Sequence, residues 1–293
     1  MKRVPAILGP TAVGKSKVAF ELALALGGEV LVADSRQVYR RLEIATNKPP
    51  EADRTRVRYH GLDLVDPELT FNVHQYVEAA APVLRTVPSV VLEGGTNLYV
   101  DALLDGLTLG GVPPRPERRV ELDKQPVEEL ANLVRRLDPD VELDFANRVR
   151  LIRAIEVLEV AGPPLSRLRT RVKPPWEGLR VGLQMPLDLL HARIAERCAE
   201  QLERGLVEET REALAAGVSA RSQVLSGTGY AETVAYLEGR ITREELPELM
   251  ARNNRRLAKR QLTWLRRDRR IRWFETAGDP VPAILNYLKE DLA

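Results

Sequence analysis

Short apolar runs and helical periodicity alternate along the first part of the chain. The first run, 4–8, leads into a glycine-containing octapeptide, after which apolar residues recur at helical spacing over 18–26 and stop at a glycine pair. Two further runs, 30–33 and 90–92, enclose a helical pattern at 73–84. Runs that are apolar throughout are typical of strands covered on both faces, so the pattern predicts an α/β fold with a parallel sheet flanked by helices.

The octapeptide reads GPTAVGKS, which matches the phosphate-binding pattern G-x-x-x-x-G-K-S/T between a predicted strand and a predicted helix. Glycines let backbone N–H groups approach phosphate oxygens, the helix N-terminus adds a positive dipole, the lysine supplies a cation and the serine hydroxyl suits Mg²⁺. The sequence therefore predicts a P-loop. Its residues are Gly9, Pro10, Thr11, Ala12, Val13, Gly14, Lys15 and Ser16.

Glycine- and proline-rich stretches at 110–116 and 162–175 interrupt the apolar pattern and predict domain boundaries. The segment between them is helical in pattern. We expect a first part of the P-loop core at 1–111, a small helical insertion domain at 112–175, and a second part of the core at 176–293. Within that second part we expect a strand at 181–185 and helices at 189–216, separated near residue 205, and at 244–267.

Polar residues follow the second and third apolar runs, where ligands of parallel sheets bind. Asp34 ends the second run; there it is either a Mg²⁺ ligand or general base, or a helix N-cap or turn residue. Glu93 ends the third run, where nucleoside triphosphatases place a Mg²⁺-linked carboxylate, although a plain strand-end charge explains it too. The turn at 94–96 offers a flexible backbone and a hydroxyl.

Positive charge is concentrated near the end of the chain, although the formal net charge is only +2. Ten basic residues and one acid lie between Arg252 and Arg272. At helical spacing, residues 252, 255, 256, 259 and 260 share one side, while 257, 261, 264 and 265 lie mostly on another. The basic side is either a surface for a polyanion or a solvated face paired with acids at 244–248.

The remaining composition limits the function classes. One cysteine, Cys198, forms no internal disulfide, and three scattered histidines have no metal-ligand spacing. No segment has the length of a transmembrane helix, and the apolar stretch after Arg3 is too short for a signal peptide. We therefore expect a cytoplasmic protein that does not bind membranes.

Taken together, these residues resemble the tRNA dimethylallyltransferases, also called tRNA isopentenyltransferases, of the bacterial type. The resemblance covers almost the whole chain. Its motifs are GPTAVGKS at 9–16, DSRQVYR at 34–40, TNKP at 46–49, GGTNLY at 94–99, RLIRAIEV at 150–157, RGLVEE at 204–209, GY-x-E at 229–232 and RRLAKRQLTW at 255–264.

The resemblance implies transfer of a dimethylallyl group from dimethylallyl diphosphate to N6 of adenosine 37 in tRNA, within the anticodon stem-loop that carries adenosines at positions 36 to 38. The P-loop then holds pyrophosphate rather than ATP, with Ser16 as a ligand of the Mg²⁺ cofactor. Asp34 corresponds to the family's general base, and Thr96 lies near the target adenine. We expect the enzyme to act as a monomer.

The resemblance also implies which residues contact tRNA. They are Asp34, Ser35, Arg36, Gln37, Thr96, Arg119, Arg150 and Arg153, to which the basic helix adds Arg255 and Lys259. The sequence departs from the family at Glu93, where an apolar residue is general, and at Ser226, where some members have an arginine linked to the diphosphate.

Two other functions use the same P-loop. A small-molecule or nucleotide kinase would bind ATP with Lys15 and Ser16 and use Asp34 to activate an acceptor hydroxyl, but would leave the basic helix unexplained. An RNA-binding or regulatory P-loop protein would need no chemistry on a prenyl donor.

Overall fold

A computed structural model of the chain describes residues 1–107, 112, 115–161, 164–165 and 171–292. Its strands are β1 (Lys2–Leu8), β2 (Glu29–Val32), β3 (Tyr59–His60), β4 (Val90–Gly94), β5 (Trp176–Gln184) and β6 (Arg272–Glu275). They form one parallel sheet in the order β3-β2-β4-β1-β5-β6. The predicted α/β fold with a parallel sheet is confirmed.

Helices follow most of the strands, as crossover connections between parallel strands require. They are α1 (Lys15–Ala25), α2 (Glu51–Arg56), α3 (Val73–Thr86), α4 (Asn97–Asp105), α5 (Pro116–Leu122), α6 (Val127–Leu137), α7 (Arg148–Ala161), α8 (Leu187–Glu203), α9 (Leu206–Ala215), α10 (Tyr230–Leu237), α11 (Glu245–Leu265) and α12 (Val281–Leu292). Gly205, with φ 94°, separates α8 from α9 where the sequence predicted a break.

The edge strands β3 and β6 were not predicted. The two residues of β3 are too few for a periodic pattern, and β6 begins and ends with exposed charged residues, Arg272 and Glu275. Neither strand therefore contains the continuous apolar run that identified the buried strands β1, β2 and β4, each with at least three fully buried residues.

The chain divides into two compact units. The first comprises Met1–Leu103 and Pro175–Ala293, and the second comprises Leu104–Pro174. The division falls at Leu104 rather than at the expected residue 112, and at Pro175 rather than at 176. Residues 110–111, 113–114, 162–163 and 166–170 of the predicted boundary stretches lie outside the described residues, as do residues 108–109.

The second unit has an apolar core of its own. Helices α5 and α6 pack on α7, and Leu122, Leu130, Leu151 and Ile155 are completely buried among them. Burial of several large aliphatic side chains is the main stabilising contribution to such a small helical unit. In the first unit the core lies on both faces of the sheet, where β1, β2 and β4 are almost entirely buried.

The sheet order brings three loops to one edge. Strand β4 pairs with β1 on one side and β2 on the other, with Leu8 beside Gly94 and Val32 beside Glu93. Because all three strands are parallel, the P-loop, Asp34 and the turn after β4 follow neighbouring carboxyl ends. Among the described helices, none combines the length and apolar character needed to cross a membrane.

Candidate active site

The P-loop wraps around the N-terminus of α1. Gly14 has φ 102° at the N-cap of that helix, a left-handed conformation that favours glycine, so the second glycine of the motif is required there. The Lys15 ammonium group donates to the Pro10 carbonyl oxygen at 2.9 Å and closes the loop on itself. The residues predicted to bind a diphosphate are therefore contiguous at one helix N-terminus, where backbone N–H groups and the helix dipole favour an anion.

A glutamine from the basic helix joins two loops of this edge. The Thr11 amide donates to Gln261 Oε1 at 2.8 Å, and Gln261 Nε2 donates to the Gly95 carbonyl oxygen at 2.9 Å. A Cβ atom at Gly95 would lie only 2.7 Å from Gln261 Nε2, so a side chain there would displace the Gln261 amide group. In the sequence, Gln261 is recognisable only as a residue on a side of the helix away from the basic residues, and no pattern signals this role.

Arg197 is a cation at the P-loop that the sequence analysis also missed. Its Nη2 donates to Thr11 Oγ1 at 2.7 Å and to Asn254 Oδ1 at 3.1 Å. Its Nε is buried without a hydrogen-bond partner in the described part of the chain. Burial lowers the pKa of this guanidinium. Arg197 thus adds positive charge to the loop and has a buried donor left over for a ligand.

Asp34 has one carboxylate oxygen engaged and one open. Oδ1 accepts from the Arg36 amide at 2.8 Å and, more weakly, from the Gln37 amide at 3.4 Å. Oδ2 has no hydrogen-bond partner among the described residues; a Cβ atom at Gly95 would lie 3.8 Å from both this oxygen and the Lys15 ammonium nitrogen. Asp34 thus makes the turn interaction through Oδ1 and still leaves Oδ2 unengaged, so the turn residue that the sequence offered as one alternative does not exclude the other.

Thr96 and Ser35 meet beside Asp34. Thr96 Oγ1 accepts from the Ser35 amide at 2.9 Å and donates to the Ser35 hydroxyl at 3.3 Å, while the Thr96 amide donates to the Ala33 carbonyl oxygen. The guanidinium of Arg36 is partly buried, and its Nη1 has no partner in the described chain. Gln37 is only 6% exposed and donates to the Asn47 carbonyl oxygen at 3.3 Å. Ser35, Arg36 and Thr96 lie at the open edge, whereas Gln37 is buried in this state.

Two ionisable groups under the P-loop have shifted pKa values. Burial lowers the pKa of Lys15 to about 8, an effect that the charges of Glu93 and Asp34 partly offset. Burial raises the pKa of Glu93 to about 7, opposed by Lys15 and by a hydrogen bond with the Ser16 hydroxyl. Shifted groups of opposite charge beside an anion-binding loop are typical of a functional site.

Two other motifs hold a neighbouring loop in place. The Glu209 carboxylate accepts from the amides of Glu43 and Ile44 at 2.7 Å and 3.1 Å, and from the Tyr230 hydroxyl at 2.6 Å. In the same loop, the fully buried ammonium group of Lys48 pairs with Glu43 and Asp63 at 2.7 Å and 2.5 Å. Segments far apart in sequence therefore converge as a structural support rather than as additional chemistry.

The basic side of α11 is largely solvent-exposed. Of its residues, Arg252, Arg256, Lys259 and Arg260 are exposed and form no ion pair in the described chain, whereas Arg255 pairs with Glu248 at 2.6 Å. The packing face contains Leu265, as expected, together with residues such as Ala251, Asn254, Ala258 and Leu262, whereas Trp264, expected on the same face, is 44% exposed. The exposed cations therefore fit the polyanion interpretation better than the paired one.

The arginines predicted in the insertion differ from one another. Arg119 donates from Nε and Nη2 to the two oxygens of the buried Glu156, each at 2.9 Å, and Arg153 lies 3.5 Å from the same carboxylate. Arg153 also donates to the Val112 carbonyl oxygen at 2.6 Å. The Arg150 side chain is exposed and has no such partner among the described residues. Of these three arginines, Arg150 alone has a guanidinium group without a partner in the described chain.

Comparison with known proteins gives one family. The profile of the family described as IPP transferase matches residues 37–268. The chain is 39% identical over 282 residues to a tRNA dimethylallyltransferase of Pelotomaculum thermopropionicum, covering 92% of this chain and 89% of the relative. It is 40% identical over 294 residues to tRNA dimethylallyltransferase 1 of Citrifermentans bemidjiense, covering 97% and 95%.

A solved structure agrees with these relatives. The tRNA isopentenylpyrophosphate transferase of Bacillus halodurans superposes with a TM-score of 0.76 at 33% identity, over 100% of this chain and 97% of that one. The match thus spans both units and includes the loop edge described above. The chain therefore belongs to the IPP transferase family of prenyltransferase enzymes.

Proposed function

We propose that this enzyme transfers the dimethylallyl group of dimethylallyl diphosphate to N6 of adenosine 37 in tRNA. The observation that supports this most is the open Oδ2 of Asp34: this oxygen and the Lys15 ammonium nitrogen of the P-loop would each lie 3.8 Å from a Cβ atom at Gly95. We assign Oδ2 as the proton acceptor beside a diphosphate-binding loop, the arrangement that a displacement reaction between an amine and an allylic diphosphate requires.

The reaction forms one bond and breaks one. The N6 nitrogen attacks C1 of the dimethylallyl group, the C1–O bond breaks, and pyrophosphate leaves with the bonding electrons. The surplus proton on nitrogen passes to Asp34 Oδ2, while Oδ1 stays fixed by the Arg36 amide. Thr96, held by Ser35, offers its hydroxyl beside the acceptor base.

The leaving group is best accommodated by the P-loop. The backbone N–H groups of the P-loop that are not already donated within the protein, together with Lys15 and the spare donor of Arg197, supply positive potential where negative charge develops. Mg²⁺, when bound with Ser16, would neutralise further charge on the pyrophosphate. The hard oxygen ligands available at Ser16 suit that ion.

The tRNA is proposed to lie along the exposed cations. Arg252, Arg256, Lys259 and Arg260 present positive charge on α11, and Arg150 does so in the insertion. Adenosine 37 would have to leave the stack of the anticodon loop for its N6 atom to reach the acceptor. In this assignment Ser35 and Arg36 contact the tRNA at the open edge, whereas Gln37 would require a rearrangement.

A labelling experiment separates this proposal from the two alternatives. The purified protein is incubated with Mg²⁺, labelled dimethylallyl diphosphate and an unmodified tRNA with adenosines at positions 36 to 38. We expect label on adenosine 37 without ATP, and no label when that adenosine is replaced by guanosine. ATP turnover on a small acceptor without labelling of the tRNA would support a kinase, and tRNA binding without either reaction would support a binding protein.

A further inference from the structure

Glu93 is a buried acid in the strand that lies between the other two strands of the loop edge. This strand, β4, pairs with β1 and with β2, and Glu93 lies opposite Ile7 of β1 and Val32 of β2. The residue is 2% exposed. Its carboxylate faces the P-loop, since it interacts with the Ser16 hydroxyl by hydrogen bonding and with the charges of Lys15 and Asp34.

One oxygen of this buried carboxylate is unused. Glu93 Oε1 is inaccessible to solvent and has no hydrogen-bond partner in the described chain. A buried carboxylate oxygen without a partner is costly, and such exceptions in folded proteins call for an explanation such as a missing ion. A residue needed only to pair with Lys15 would not require a second buried oxygen without a partner.

The charges around the loop point to a cation. Lys15 interacts with the charges of Glu93 and Asp34, and Arg197 with the charges of Lys15 and Asp34, so two positive and two negative groups lie near the loop. A multiply charged diphosphate entering this set creates a large excess of negative charge, which a divalent cation would reduce. Among the described residues no group of three or more His, Cys, Asp or Glu side chains is placed to hold a metal, so the cation would also need diphosphate oxygens.

We infer that Glu93 is a second protein anchor, with Ser16, for the divalent cation that accompanies the diphosphate. This assignment rests on the proposed function only in that the P-loop ligand is a diphosphate. A hydroxyl and a carboxylate oxygen are both hard donors, and Mg²⁺ is commonly held by one or two carboxylates together with phosphate oxygens.

The test measures binding of inorganic pyrophosphate by calorimetry, once in EDTA and once in excess Mg²⁺. The Kd in EDTA divided by the Kd in Mg²⁺, called the ratio below, reports how much the cation strengthens binding. Pairing of Mg²⁺ with free pyrophosphate contributes equally for every variant, so only the protein's part differs between them. The variants are Glu93→Gln, Glu93→Asp, Ser16→Ala and the Glu93→Gln/Ser16→Ala double variant.

We expect Glu93→Gln to reduce the ratio about 10- to 100-fold, the usual cost of losing a group that supports a metal. In EDTA this variant should bind pyrophosphate at least as tightly as the wild type, because a negative charge next to the phosphates is removed. Glu93→Asp should retain most of the ratio. The double variant should lose less than the sum of the single losses, since both groups hold the same ion.

Several results overturn the inference. An unchanged ratio in Glu93→Gln, or equal changes in both Kd values, would make Glu93 a counter-ion of Lys15 alone, and a wild type without any Mg²⁺ enhancement would exclude the site. If Glu93→Gln fails to fold, Glu93→Leu is measured in its place: loss of the ratio at wild-type affinity in EDTA supports the site, and an unchanged ratio overturns the inference. Because pyrophosphate binding needs no tRNA, failure of prenyl transfer and failure of this assignment are observed separately.

Discussion

Two buried glutamates, one in each unit of the chain, have opposite surroundings. Glu156 in the insertion is completely buried, and both of its oxygens are occupied: Oε1 by the Arg115 amide and Arg119, Oε2 by Arg119 and Arg153. Glu93 in the core is 2% exposed and has an oxygen without a partner. The sequence alone does not distinguish them, because each is an acid within an apolar stretch.

The difference between the two glutamates distinguishes a carboxylate that stabilises the fold from one that is left to bind a ligand. Burial alone would raise the pKa of Glu156, but the hydrogen bonds from Arg119 and the Arg115 amide and the nearby arginine charges outweigh it and lower the pKa. For Glu93, burial prevails and the pKa is raised. A buried carboxylate whose partners are complete stabilises its own unit, whereas one left incomplete is suited to a ligand. Asp34 combines both arrangements, with Oδ1 occupied and Oδ2 open.

The largest effect is expected from the open oxygen of Asp34. Asp34→Asn keeps an acceptor for the Arg36 amide but removes the proton acceptor, so kcat for prenyl transfer should fall about 100- to 10,000-fold. The measurement is single-turnover transfer of labelled dimethylallyl to tRNA, with tRNA affinity measured in parallel.

The matched control is Asp188→Asn, an exposed acid in the first turn of α8, which should leave the rate unchanged. If tRNA affinity falls as steeply as the rate in Asp34→Asn, Asp34 serves the fold of the loop and our assignment of the base is wrong.

For Glu156, whose two oxygens are both hydrogen-bonded, we expect a substitution to lower the stability of the insertion rather than the reaction rate. Glu156→Gln removes the charge that holds Arg119 and Arg153, and should cost about 2 kcal/mol, less than a fully buried pair because both guanidinium groups are partly exposed. Hydrogen exchange of amides in α7 should then speed up about 30-fold at pH 7. Glu121→Gln, which removes an exposed partner of Arg118, is the control and should change little.

Acid should abolish the difference in α7 amide exchange between Glu156→Gln and the wild type. A folded pKa below that of the unfolded chain means that Glu156 stabilises fully above the unfolded value of about 4.3. The stabilisation is lost as pH falls through the lowered folded pKa. A difference in α7 exchange that persists at pH values well below 4 would show that the Glu156 charge is not its source.

A smaller effect is expected at Gln261, which bridges the P-loop and the turn after β4 by hydrogen bonds. Gln261→Leu removes hydrogen bonds to Thr11 and Gly95, each worth about 1 kcal/mol, so pyrophosphate affinity should weaken about 10-fold. Thr263→Val, on the exposed side of the same helix, should bind pyrophosphate as the wild type does. An unchanged affinity in Gln261→Leu, with lower stability only, would mean that the bridge supports packing and not the ligand loop.

The residues of the loop edge could be predicted from the sequence where they follow a recognisable strand, but not where folding brings them in from distant segments. The P-loop, Asp34 and Thr96 directly follow apolar runs that predict strands, so their meeting follows from a parallel sheet. Gln261 and Arg197 reach Thr11 from 250 and 186 residues away. A single sequence contains no signal for such distant contacts, nor for which arginines of the insertion Glu156 engages.

The smallest effects concern the cations on the surface, where free and paired residues can be compared directly. Lys259 has no ion pair in the described chain, whereas Arg255 is held by Glu248. Each phosphate contact contributes about 0.7 to 0.9 to the slope of log Kd against log salt concentration. Lys259→Ala should therefore lower the slope for tRNA by nearly one unit, and Arg255→Ala by less, because its charge is already partly neutralised. Equal slopes for Lys259→Ala and the wild type would assign the basic side of α11 to solvent.

The same comparison of a free and a paired cation applies in the insertion. Arg150→Ala should lower the slope for tRNA, while Arg119→Ala should chiefly destabilise α7, because it leaves Glu156 without its main partner. Equal losses of slope for Arg150→Ala and Arg119→Ala would show that tRNA displaces Glu156 from its arginine.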